Sequence, residues 1–316
     1  MLASDPRNAS SNGGLGSVMS RTVEVFQVDA FTRQRFTGNP AGVVLDADGL
    51  ADTDMLALAR ELNNADTAFV FRPTRDDHDI HVRFFTPRSE AAFVGHATIA
   101  VHAVLAQRSP RAMCRQAGRT GIVEVSRLGG DAGFSIRQAP PALGRLTTPD
   151  ELAPVLDALG LSTTQLDPRC PPRIAGSGST RLLLGLATGG TLRGLAPDLS
   201  ALARLSPVIG AAGYFLFSRA PVVPGCDVES RMFCPALGIP EDPVSGNAHG
   251  LLGAHLLERG LLPVTAGVAQ FRGAQGHHMG RPGRVGITLD VDAQGRCAGA
   301  HIRGKAVLVF ETRIEV

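Results

Sequence analysis

Asp66, His96 and Asp242 can each take up or release a proton, and each stands beside a turn where a regular element starts or ends. His96 follows Gly95 at the head of a run that is apolar on almost every side: Ala97, Ile99, Ala100, Val101, Ala103, Val104 and Leu105. A helix with so little polar surface belongs in the middle of a domain. Its first turn, Gly95-His96-Ala97-Thr98, offers unpaired backbone N–H groups and the positive end of the helix dipole, a ready site for a carboxylate or phosphate. Gly95 lets an anion approach the backbone, and His96 beside it can exchange a proton near neutral pH. Asp242 lies between an acid and a proline, just before a second such turn, Gly246-Asn247-Ala248-His249. Asp66 opens a strand directly after a helix ends at Asn63-Asn64-Ala65. Taken alone, an Asp at such a junction is more often a cap or a turn residue. Asp242 reads equally as an N-cap or dipole partner of the second helix.

The elements that position these residues occur twice. Arg83-Phe84-Phe85-Thr86-Pro87 and Arg231-Met232-Phe233-Cys234-Pro235 share the pattern Arg-x-Phe-x-Pro. Each is followed by a glycine-headed apolar helix with an interior histidine, His102 in the first and His255 in the second. Self-similarity about 150 residues apart argues for two copies of one domain rather than a solenoid, whose periods are roughly 20–50 residues. Two such domains facing each other aim two helix N-termini at one cleft.

A chain of 316 residues, 44% hydrophobic and 19% charged, has room for two ordinary domains with their own cores. A formal charge of +2, one Tyr and no Trp disfavour nucleic-acid binding. No apolar run approaches the roughly 20 residues that span a bilayer. Residues 1–21 lack the order of a secretory signal and read as a disordered leader. Five scattered cysteines without a CxxC suit a reducing cytoplasm and offer no zinc spacing. No HExxH, P-loop or GxGxxG-after-strand pattern is present, so neither a metal nor a cofactor is expected.

Along the chain, Thr22–Ala30 alternates as a half-buried strand and Ala41–Leu45 as a more buried one. Thr53 is expected to cap a helix over Asp54–Leu62, and Asp66–Phe71 enters a third strand. Strands are also read over Gly121–Val125, Gly133–Arg137, Arg181–Leu186 and Gly213–Ser218. Helices are read from Thr148, with a capping box to Glu151, to Gly160, and over Pro197–Leu205. Strands with glycine turns fill Arg284–Val291 and Ala300–Val316. Crossover helices are too few for a doubly wound sheet, so the fold class is α+β. The expected lobes are 22–145 and 146–316, the last strand able to cross back to the first lobe.

FTGNPAGVVL, LNNADTAFV, RFFTP with FVGHATIA, GIPEDPVSGNAHGLL and QGHHMGRPGRV together resemble the PhzF-like proteins of phenazine biosynthesis. The likeness runs from about Val23 to Val316. It implies the diaminopimelate-epimerase-like fold: two pseudo-symmetric lobes, each wrapping strands round a central helix, with the site between them, and a homodimer. It also implies a cofactor-independent isomerase that shifts a proton on a small carboxylate. In the family the third-strand motif usually reads Glu-Thr-Ala-Phe, and that Glu moves the proton; here Asp66 keeps the acid and shortens its reach. His96 and Asp242 match the family's other two catalytic positions. Gly95, with Ala97 in the same turn, and Gly246 match the carboxylate-binding turns, and Asn247 stands where Ser is usual. These two changes argue against dihydro-3-hydroxyanthranilate as substrate.

Racemases and epimerases of the same fold set two thiols before the helix glycines. Val94 and Ser245 stand there instead, and valine can neither give nor take a proton, so a two-thiol mechanism is excluded. What remains is a one-acid proton shift on a cyclic unsaturated amino or imino acid of secondary metabolism. The alternatives are another epimerase of this fold and a non-catalytic carboxylate binder. His277, His278 and Gly176–Ser179 read better as surface or turn residues than as cleft lining.

Overall fold

The computed structural model describes residues 21–130, 133–176 and 179–316. Residues 1–20 of the expected leader, and Ser177 and Gly178, lie outside the described residues. One ladder of strands runs through the molecule. In the first half, Thr22–Ala30 pairs antiparallel with Asn39–Leu45, which pairs parallel with Asp66–Phe71. Ile80–Phe85, Met113–Gly118, Gly121–Arg127 and Phe134–Gln138 extend it in that order. Phe134–Gln138 then pairs with Cys297–Gly304, where the second half begins. From there the ladder passes through Gly283–Val291, Val268–Gln275, Val228–Cys234, Gly213–Ser218 and Arg181–Leu186. The last strand, Ala306–Glu315, returns to pair with Thr22–Ala30.

Each half closes round one helix. Gly95–Arg108 packs on the strands of the first half and on the returning last strand; Gly246–Glu258 packs on the strands of the second. The two helices touch each other. Buried polar groups cost free energy unless they are hydrogen-bonded, and the middle of the first helix satisfies its own. In the first helix Thr98 Oγ1 donates to the Val94 carbonyl at 2.9 Å, Gln116 Nε2 donates to Thr98, and Gln116 Oε1 meets His102 Nε2 at 3.1 Å.

The internal repeat is carried by a repeated ion pair. Arg83 clamps Glu90 through Nε and Nη2 at 2.8 and 3.0 Å, and its guanidinium lies 5.1 Å from the Phe85 ring centroid. Arg231 clamps Glu241 in the same way at 2.9 and 2.8 Å and lies 4.9 Å from Phe233. The Arg and Phe of the sequence pattern are thus a stacked pair in both halves, and each Arg reaches the edge strand that leads into its central helix.

Two helix starts and two strands differ from the sequence reading. The helix expected from Thr53 spans Asp52–Leu62, with Ala51 at its N-cap and the Asp54 carboxylate accepting from the Ala51 amide. Leu199–Ile209 starts later than Pro197, because Asp198 caps it by accepting from Ala201 N at 2.9 Å. Met113–Gly118 and Val268–Gln275 are strands that sequence reasoning passed over; buried Gln116 and Gln275 and the more open Arg115, Gln270 and Arg272 interrupt the apolar signal. Among the described residues, no helix is long and apolar enough to cross a membrane.

Candidate active site between the central helices

The strand Asn39–Leu45 belongs to the first half, and its first three positions reach all three proton-carrying residues. Asn39 Nδ2 donates to Asp242 Oδ1 and to the Val244 carbonyl, both at 2.8 Å. The Pro40 carbonyl accepts from the His96 ring. Ala41 pairs in register with Asp66 on the neighbouring parallel strand. Asp66 Oδ2 lies 3.8 Å from His96 Nε2, and both side chains are nearly buried, at 13% and 10% exposure.

Burial decides the electrostatics. It pushes the Asp66 carboxyl up to about 7, helped by the negative charge of Asp242. Asp242 is also raised by burial, to about 6, while the Arg181 charge, Asn39 and the Val244 amide pull it back down. Both carboxyls are thus held above the ordinary carboxylate range, and a negative charge on Asp242 favours the proton on Asp66. Burial drives His96 down to about 4, so the imidazole is neutral across the physiological range. His96 Nε2 is buried with no hydrogen-bond partner in the protein, and in the tautomer whose N–H faces Pro40 it carries a lone pair. Asn39 Oδ1 is a second buried acceptor without a partner. Two unsatisfied acceptors beside two raised carboxyls are arranged for a ligand that brings its own hydrogens.

The two helix turns contribute differently. Val94 cannot cap the first helix, so the amides of Gly95, His96 and Ala97 have no partner within it. A Cβ built on Gly95 meets nothing within 4 Å, so the turn is open to an approaching anion. Ala97 is fully buried in the first core and offers only its backbone. In the second helix Ser245 Oγ caps by accepting from Ala248 N, which leaves the Gly246 and Asn247 amides. The Asn247 side chain is exposed on that turn. A Cβ on Gly246 would stand 2.7 Å from Ile302 and 3.0 Å from the Phe31 ring, so packing demands glycine there, whereas Gly95 is left open.

This contrast predicts opposite outcomes for the same change. Gly246→Ala overpacks the core and costs about 1–3 kcal/mol in a denaturant melt. Gly95→Ala melts no lower than the unmutated protein and binds carboxylates more weakly. Equal melting of the two variants would contradict the assignment.

Sequence reasoning missed Asn39, Arg181 and Gln275. Gln275 Nε2 donates to the Asp242 carbonyl at 2.7 Å and its Oε1 accepts from Ser245 N at 3.1 Å, bracing the loop into the second helix. Asn39 and Gln275 both lie inside quoted motifs, as the Asn of FTGNP and the first residue of QGHHMGRPGRV, but no local pattern announces a long-range brace. His277 and His278 are exposed, away from these groups.

A family model described as phenazine biosynthesis-like protein matches residues 28–312. The chain belongs to this family. It is 36% identical over 300 residues to an uncharacterized isomerase of Clostridium acetobutylicum, covering 94% of this chain and 99% of that one. It is 31% identical over 289 residues to the trans-2,3-dihydro-3-hydroxyanthranilate isomerase of Pseudomonas aeruginosa, covering 90% and 97%. The crystal structure of a PhzF-family protein of Bacillus anthracis superposes with a TM-score of 0.82 at 25% identity, covering 94% of this chain and all of that one. A hydroxyproline epimerase of Agrobacterium vitis shares the fold at 13% identity and a TM-score of 0.61, covering 94% and 93%. The PhzF-like chain is thus an isomerase with the diaminopimelate-epimerase-like α+β fold.

Proposed function

We propose that this PhzF-like isomerase moves a proton between two carbons of a small cyclic unsaturated amino or imino acid. The amides at Gly95 and Gly246 hold the carboxylate. Asp66 takes a proton from a carbon made acidic by the adjacent unsaturation, and returns it at another position. His96 Nε2 accepts a hydrogen bond from the substrate, and Asp242 fixes a cationic or N–H group beside it. The observation that carries this reading is a buried carboxyl held near pKa 7 at 3.8 Å from an unpartnered histidine nitrogen. A base in that range is half ionised at neutral pH and still strong enough to take a carbon-bound proton. Action as a cytoplasmic homodimer in a secondary-metabolic pathway rests on the family resemblance.

The two-thiol epimerase alternative finds no support here, since Val94 is a buried helix cap and the Ser245 hydroxyl is spent on capping. The test is deuterium uptake. A panel of cyclic unsaturated amino and imino acids, trans-2,3-dihydro-3-hydroxyanthranilate included, is incubated with the protein in D₂O and followed by NMR. Deuterium is expected on a ring carbon with a shifted double bond. Inversion at one carbon without a shift would make it an epimerase, and binding without exchange across the panel would make it a carboxylate-binding relative.

A further inference from the structure

The net charge of +2 hides a local concentration of cations. The outer face of Val268–Gln275, Gly283–Val291 and Cys297–Gly304 forms the floor of a cavity of about 1380 Å³. Arg33, Arg272, Arg284, Arg303 and Lys305 all line it, and among the described residues one carboxylate, Asp227, lines it with them. That carboxylate is committed, since it accepts from the Arg272 backbone amide at 2.8 Å. Among the described lining residues, cations therefore outnumber carboxylates.

The strand register builds the basin. Arg272, Gly286 and Arg303 lie side by side across three strands, so two arginines flank a residue with no side chain. A Cβ on Gly286 would stand 3.4 Å from Arg303 Cβ, and its absence opens a trough between the two guanidinium groups. Arg284 stands two residues before Gly286 on the middle strand and faces the same way. Among the described residues the guanidinium groups of Arg272 and Arg284 form no ion pair, and both side chains are exposed. Arg303 reaches Thr288 and Gln270 through Nη2, yet its Nε is buried without a partner. Burial and the Arg272 charge together press the Arg303 guanidinium below its ordinary value. The charges of Arg272 and Arg284, with no counter-ion among the described residues, raise the energy of the face beside Arg303, and an anion between them lowers it.

We propose that this basin binds a small, multiply charged oxyanion, carrying phosphates or several carboxylates, at a site separate from the Asp66 cleft. Guanidinium forks match both groups bidentately, and three converging arginines exceed what one monocarboxylate can use. The volume is above the roughly 300–1,000 Å³ of ordinary small-molecule pockets, so the ligand fills the arginine end and leaves the rim open.

Tripolyphosphate and citrate serve as probes, titrated calorimetrically into the full-length protein at low ionic strength. Binding is expected in the unmutated protein, with the tighter probe telling phosphate from polycarboxylate chemistry. Arg272→Glu/Arg284→Glu weakens it roughly tenfold or more, about 1.4 kcal/mol by the affinity relation. Arg272→Ala gives a smaller loss with no change in melting. Asp66→Asn binds both probes unchanged, which separates this site from the proposed isomerase cleft. No binding by the unmutated protein, or equal binding by the double variant, overturns the proposal. So does sedimentation showing that the unmutated chain self-associates and the double variant does not, because a second copy then covers the face.

Discussion

Asp66→Asn is expected to fold and to lose about 10²- to 10⁴-fold of its carbon–proton exchange, the range for removing a general base. The same residue can be read without any substrate. Carbon-13 NMR of labelled aspartates should show one carboxyl titrating near pH 7, absent in Asp66→Asn. In Asp242→Asn that transition should move to lower pH, because the neighbouring charge that raises Asp66 is gone while burial remains. Turnover should rise with pH through about 7, since the base acts only when ionised. If the transition near 7 survives in Asp66→Asn, another residue holds that proton and the proposed mechanism fails.

A stability signature of opposite sign follows. The folded value of Asp66 lies above its unfolded value of about 3.9. Between the two the native state binds more protons, so its stability falls as pH rises from about 4 to about 7. Asn mimics the protonated form and escapes this penalty. Asp66→Asn should therefore melt higher than the unmutated protein at pH 8, with the gap closing toward pH 4. The residue that makes the cleft reactive is then one the fold would be more stable without.

The division between what was legible in the sequence and what was not follows the range of each interaction. Local signals served well where the physics is local: Thr148 and Glu151 form the capping box, and Gly160 closes that helix in a left-handed conformation. The apolar runs after Gly95 and Gly246 are the two central helices, because burial on all sides leaves no polar stripe. Asp66, His96 and Asp242 come together although 30 and 146 residues separate them in turn; the internal repeat and the family resemblance were the signals of that approach. Asn39 escaped because a Gly-Asn-Pro stretch reads as a turn, and its amide acts 203 residues away. Gly246 was read as an anion-binding glycine, yet the contacts that demand glycine there come from Phe31 and Ile302. Phe31 itself sits at φ 63, a conformation that no bulky side chain announces in advance. The arginine basin was hidden by averaging, since a net charge of +2 says nothing of where the charges lie.

Arg231→Met should cost about 3–5 kcal/mol of stability, against about 1 kcal/mol for Arg83→Met, although the two arginines occupy equivalent places in the repeat. The difference lies in burial. Arg231 and Glu241 are 6% and 11% exposed, and Arg231 Nη1 also donates to the Leu195 carbonyl at 2.7 Å. Arg83 and Glu90 are 22% and 20% exposed, and Arg119 stands 3.5 Å from Glu90 as a second cation. Losing Arg231 leaves a carboxylate in the interior with no counter-charge, while losing Arg83 leaves one that water and Arg119 still reach. The effect also extends to chemistry, because Glu241 adjoins Asp242 and its charge already helps raise that carboxyl. Without Arg231 the Glu241 charge loses its counter-charge beside Asp242, so the pH at which the Asp66–Asp242 pair titrates should rise. Arg231→Met/Glu241→Met removes both charges and should recover most of the lost stability. Urea melts of the three variants decide it: if Arg231→Met costs no more than Arg83→Met, burial does not distinguish the two copies. In that case the coupling of the second ion pair to the site is absent too.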